Sequence, residues 1–109
     1  MFAVIYRFEL KKDQEEVYQE CWAKISDYFI MKCGALGSCL HKGKDGLWVA
    51  YSRWPDKETR DLAWPGENAP NIDLPSTIVD TILIMQKIKK ENYDLRQYEE
   101  IGLEVVSDT

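Results

Sequence analysis

The sequence predicts an α+β domain whose four strands and two long helices follow the order β-α-β-β-α-β. Three observations carry this. Residues 2–10 alternate with a period of two, two later stretches repeat an apolar residue every three to four positions, and a glycine-flanked turn at residues 42–46 joins two strand-like runs. Two β-α-β halves joined by a hairpin, with right-handed crossovers, give one antiparallel sheet with its helices on one face. The expected strand order is fourth, first, third, second.

The first strand is the clearest element. Phe2, Val4, Tyr6, Phe8 and Leu10 point one way and are wholly apolar or aromatic, so they face a core. Ala3, Ile5, Arg7 and Glu9 point the other way. That mixture is too apolar for a solvated face and too charged for deep core, and it suits a subunit interface. Arg7 and Arg53 are expected there, paired with Glu9 or Glu104. Lys11-Lys12-Asp13 closes the strand, and Asp13 with Glu16 three residues on reads as a capping-box variant. The helix that follows runs to about Met31, with Val17, Cys21, Ile25, Tyr28 and Phe29 as its apolar stripe and Tyr18 and Trp22 beside it. Gly34 stops it.

The hairpin comes next. Lys42-Gly43-Lys44-Asp45-Gly46 supplies positive-φ positions, with Asp45-Gly46 the expected centre. Leu36, Ser38, Leu40 and Lys42 share one face of its first strand, opposite Ala35, Gly37, Cys39 and His41. Trp48, Ala50, Ser52 and Trp54 share one face of the second, opposite Leu47, Val49, Tyr51 and Arg53. The many small residues here leave room above the sheet, which a large side chain or a ligand must fill.

Pro55 ends that strand, and Asp56 can cap a short helix over residues 57–63. Residues 64–71, with two prolines and a glycine, read as a loop and a candidate lid. Asp73 and Pro75 open the second long helix, striped by Ile78, Val79, Ile82, Leu83, Met85 and Ile88, with Lys87, Lys89 and Lys90 suiting its C-terminal dipole. Residues 91–97 connect to a last strand at Ile101–Val106. The whole, residues 1–109, is one ferredoxin-like domain with a four-stranded antiparallel sheet. Its second sheet face is bare. Two such sheets packed face to face would cover it, which predicts a homodimer through the open sheet face.

The totals narrow the function classes. The chain has 109 residues and a net charge of −5, a balance that argues against a nucleic-acid or anionic-membrane surface. An RNA-recognition reading of the same element order fails as well, because the third strand lacks a basic opening. No apolar run approaches the ~20 residues of a membrane span. The amino terminus runs straight into a strand without a basic prelude or cleavage site, so no signal peptide is expected. Cys21, Cys33 and Cys39 are odd in number and form no C-x-x-C pair. No disulfide framework and no metal site are expected, and a reduced cytoplasmic setting is the simpler reading.

Three segments carry a family resemblance: M-F-A-V-I-Y-R-F-E-L at the start, G-A-L-G-S-C-L-H-K leading the hairpin, and V-A-Y-S-R-W-P-D-K-E at its end. In these the sequence resembles antibiotic-biosynthesis-monooxygenase-type domains, which form dimeric α+β barrels. The resemblance implies an active site between sheet and helices and, among the family's activities, oxygenation of aromatic substrates without metal or flavin, so no cofactor is expected. Haem-degrading members place an asparagine near Tyr6, a tryptophan near Trp64 and a histidine on the second long helix. This chain has no histidine between Ser76 and Lys90, so the proximal iron ligand is missing and haem degradation is not expected.

The candidate site residues each have two readings. His41, the single imidazole, could act as a base on a phenolic or enolic substrate, or be a strand histidine near a turn with no task, and Tyr6 is the second candidate catalytic residue. Tyr51, Trp48 and Trp64 could line a flat pocket for a polycyclic or quinone-like ligand, or fill core and dimer seam. Trp54 reads as structural, and Cys39 as a small thiol without an acid–base partner. Two functions therefore stand open: a cofactor-independent monooxygenase-like protein that binds a small aromatic ligand, or a non-catalytic homodimeric ligand-binding or interaction domain of the same fold.

Overall fold

Strand β1 (Phe2–Glu9) lies inside the sheet, flanked on one side by β3 (Leu47–Trp54) and on the other by β4 (Glu99–Glu104), while β2 (Gly37–Lys42) forms the edge beyond β3. The computed structural model describes residues 1–63, 74–91 and 99–108, with Glu99 by its backbone alone. The sheet order is β2-β3-β1-β4 and every neighbouring pair is antiparallel, as the element order predicts. Helices α1 (Glu15–Lys32), α2 (Lys57–Ala63) and α3 (Ser76–Glu91) complete the α+β, ferredoxin-like fold.

Register fixes which side chains share a face. Val4 stands between Ser52 and Gly102, Tyr6 between Ala50 and Glu100, and Phe8 beside Trp48, while Ser38 pairs with Ser52 and Leu40 with Ala50. Strand alternation then puts all of these on the helix side. Ala3, Ile5, Tyr51, Val49, Cys39, His41, Ile101 and Leu103 fall on the other face by the same alternation. There Ile101 is 38% and Leu103 42% exposed. Arg53 on this face pairs with Asp108 at 3.7 Å, rather than with Glu104.

The core on the helix side is split. One cluster gathers Val4, Ile25, Phe29, Trp54, Ile78 and Ile82 with Ala35 and Ala63. The other gathers Phe8, Tyr18, Trp48, Ala50 and Ile88. Tyr6 and Met85 pack against both. This division positions the site described below.

Several local expectations shift. Asp13 is no helix cap. A 3₁₀ turn at Lys12–Gln14 leads into α1 instead, with Gln14 at the cap and no side-chain cap bond. The buried stripe of α1 is Tyr18, Cys21, Ile25 and Phe29, while Val17 is exposed. The helix turns so that the bulkier Tyr18 meets Phe8, their rings 5.0 Å apart. On α3 Leu83 is exposed, and Thr81 is buried because its hydroxyl donates to the Thr77 carbonyl at 2.7 Å. The hairpin turn centres on Lys44-Asp45 instead of Asp45-Gly46. The Gly46 amide donates to the Gly43 carbonyl, Gly46 itself takes φ +83°, and the Gly43 amide donates to Leu47. That is a three-residue loop with its left-handed residue last. Strand β4 begins at Glu99, two residues earlier than expected, because Glu99 and Glu100 still pair with Arg7 and Tyr6. The candidate lid at 64–71, the Asp73 cap and most of the 91–97 connection lie outside the described residues.

Candidate functional site

The split in the core opens into a cavity of about 70 Å³ between the sheet and α1. Tyr18, Trp22, Ile25 and Phe29 of α1 form one wall, and Ala50, Ser52 and Trp54 of β3 the other, with Tyr6 and Met85 between them. Ser38 of β2 and Ser26 of α1 close one side, and Ile30 stands at its exposed edge. The cavity is open at that edge and large enough to admit a small ligand.

The sequence creates this space through small residues. Ala35, Gly37, Ser38, Ala50 and Ser52 all border it, so the wall of the sheet is low where the helices cannot reach down to fill it. Tyr6, Trp22 and Trp54 supply flat apolar surface around the edge. Trp54 is held by its ring contact with Phe29, 5.9 Å between centroids, and by its indole N–H, which donates to the Ser52 hydroxyl at 3.3 Å.

Tyr6 is the one residue of the expected catalytic pair that reaches the cavity. Arg60 of α2 donates to its hydroxyl at 3.2 Å and forms an ion pair with Glu100, the β4 neighbour of Tyr6. Burial pushes the Tyr6 phenol up to about 12, Arg60 partly opposing and Glu100 adding to it. Tyr6 therefore stays protonated across the physiological range, with its hydroxyl accepting from Arg60. Tyr18 is held neutral by burial in the same way. Desolvation pulls Arg60 down, but Tyr6, Glu100 and Asp61 outweigh it and its pKa is raised. Its Nε is buried without a partner among the described residues.

The other expected residues lie elsewhere. His41 is exposed near the hairpin end of β2, paired with Val49 on the face away from the helices. Its side chain is separated from the cavity by the sheet, so it does not join Tyr6 there. Tyr51 alternates onto that same outer face and borders the cavity between Ala50 and Ser52. Trp48 faces the helices but fills the second core cluster; Lys42 lies 5.6 Å over its ring and its indole N–H has no partner among the described residues. Trp64 lies outside the described residues. Cys39 is exposed on the outer face, and burial raises the Cys21 and Cys33 thiols. Among the described residues no three His, Cys, Asp or Glu side chains gather as a metal site, and no helix is long and apolar enough to cross a membrane.

Residue-by-residue reading placed Ser38 and Ser52 among the small residues that leave room but gave them no role, and it missed Ser26 and Arg60. The serines carry a weak signal, small polar residues on the helix side of both hairpin strands. Arg60 carries none, since nothing in the spacing of α2 brings it to Tyr6.

No family model and no curated protein matches the chain. Solved structures do. An antibiotic biosynthesis monooxygenase superposes with a TM-score of 0.68 at 14% identity, over 98% of this chain and 100% of the other. A Mycobacterium tuberculosis protein gives 0.68 at 16%, over 98% and 96%. The cofactor-independent oxygenase SnoaB of Streptomyces nogalater gives 0.68 at 13%, over 98% and 94%. At these identities the likeness is one of fold. The class it defines is the antibiotic-biosynthesis-monooxygenase-like α+β domain, and this chain has that fold.

Proposed function

We propose that this chain is a cytoplasmic, homodimeric monooxygenase-like protein that binds a small aromatic or quinone-like molecule between sheet and α1 and oxidises it without metal or flavin. The observation that carries the reading is the aromatic-walled cavity at the split in the core, with hydroxyl groups along one side. An apolar hollow with few convergent polar groups is the usual makeup of a small-molecule site. The fold likeness to a cofactor-independent oxygenase supports the chemistry. In such a reaction a quinol loses a phenolic proton to solvent, and the ring carbanion form adds dioxygen. The peroxide then loses water, so quinol plus O₂ gives hydroxyquinone plus water. The protein's share is a dry, shaped cavity and hydrogen bonds to the anion.

The non-catalytic reading of the same fold has one observation in its favour. Among the described residues lining the cavity, none carries a side chain that titrates near neutrality, and His41 is on the far face. The experiment separates the two. Trimethylhydroquinone is titrated against tryptophan fluorescence, since Trp22 and Trp54 line the cavity, and oxygen uptake is followed with and without protein. Quenching with uptake above autoxidation supports the oxygenase. Quenching with background uptake leaves a binding domain, and no quenching defeats both.

A further inference from the structure

Two hydroxyls in the cavity are arranged as donors. Ser38 and Ser52 are direct cross-strand partners on the helix side of β2 and β3, where side chains stand ~4.5–5.5 Å apart at Cβ. The Ser52 oxygen accepts the Trp54 indole N–H at 3.3 Å, and the Ser26 and Ser38 hydroxyls lie 3.5 Å apart. The indole N–H occupies an acceptor site of Ser52 and leaves the Ser52 O–H to donate, while in the weak Ser26–Ser38 contact either hydroxyl can be the donor, so the Ser38 O–H can turn to a ligand. The Ser26–Ser38 contact is at the outer limit for a hydroxyl pair, so an inserted oxygen would cost little there. The other cavity walls are Ile25, Phe29, Trp22, Trp54 and Met85, with no ionised group among the lining residues.

We infer that Ser38 and Ser52 form a two-donor cradle that takes an aromatic ligand by one ring oxygen and holds that oxygen as its anion. The ligand class is a phenol or quinol, the O–H bond breaking with its proton released to solvent and the electron pair kept on oxygen. Two hydroxyls bonded to the charged form favour it over the neutral form, and indole and Ser26 donors behind them polarise the pair further. This rests on the cavity being a ligand site, and it supplies what that site otherwise lacks. An anion generated by the cradle needs no protein base. The titratable residues lining it are Tyr6 from β1 and Tyr18 from α1, both held neutral by burial, and Tyr51 from β3, while α3 contributes only Met85. Arg60 stands behind Tyr6 and is already paired with Glu100 and Asp61.

The probe is 4-nitrophenol, a single ring whose ionisation is read by its visible absorbance, with nitrobenzene as the analogue lacking the oxygen. Wild type, Ser38→Ala, Ser52→Ala, the double variant and Ser52→Thr are compared for binding and for the pH at which the bound probe ionises. Each alanine should weaken 4-nitrophenolate at least tenfold, the scale of one hydrogen bond to a charged group, and leave nitrobenzene unchanged. The double variant should ionise bound 4-nitrophenol at least tenfold less readily than wild type, and Ser52→Thr should restore the Ser52 share. If wild type binds both probes and the alanine variants keep the wild-type ionisation, the cradle is wrong while the cavity reading stands. If both probes weaken together in the variants, the hydroxyls act only on structure and the cradle is again wrong. If wild type binds neither probe, the cavity reading fails and the cradle with it.

Discussion

Tyr6 belongs to both core clusters, lines the cavity and is tied through Arg60 to the last strand. Its phenol is pushed from 10.0 to about 12, first by burial. A raised pKa means the folded state holds its proton longer than the unfolded one. The associated stability is fully present below pH 10 and is lost as pH rises towards 12. The melting temperature should therefore fall steeply on the alkaline side, and Tyr6→Phe should flatten that fall while Tyr18 keeps part of it. An unchanged alkaline slope in Tyr6→Phe would contradict this. At neutral pH Phe29→Ala should cost about 3–5 kcal/mol by urea unfolding, because the ring is buried between Trp54 and α3.

The hairpin and α2 show two ways a short element is set. Gly46 is held at φ +83°, and no atom lies within 4 Å of the point a Cβ would occupy. Gly46→Ala therefore meets no clash and costs only backbone strain, about 1 kcal/mol. Gly46→Asn should cost less, and urea titration of both distinguishes strain from packing. At α2 the Thr59 amide donates to Asp56 Oδ1 at 2.7 Å, and this bond first of all lowers the Asp56 pKa from 3.8. Its contribution is present above pH 3.8 and disappears as pH falls through the lowered value. Asp56→Ala should melt earlier than wild type at neutral pH, and the two should converge in acid. Both devices were readable from residue type. So was β1, since one of its faces is wholly apolar. The rotation of α1 was not, because Val17 and Tyr18 both continue the stripe and only the partner ring of Phe8 decides between them. The cavity was half readable: the small residues of the hairpin marked space, but Ser26 joins Ser38 only once α1 crosses β2.

At the scale of the whole molecule, the face carrying Ile5, Val49, Ile101 and Leu103 is the surface through which the proposed homodimer would form. Leu103→Glu, placed on a strand whose side chain is already 42% exposed, should leave the protomer folded and convert the dimer to monomer by light scattering. A wild type that runs as a monomer at micromolar concentration would remove the homodimer from the proposal. Ligand binding by the isolated protomer would then be the surviving part.

The cavity between sheet and α1 links ligand binding to folding. Any small molecule that fits there binds the folded chain and not the unfolded one. At a hundredfold excess over its Kd it adds about 2.7 kcal/mol, a rise in melting temperature of roughly 10 °C. Heating the protein against a panel of phenols and quinones would let its own stability report which ring belongs inside.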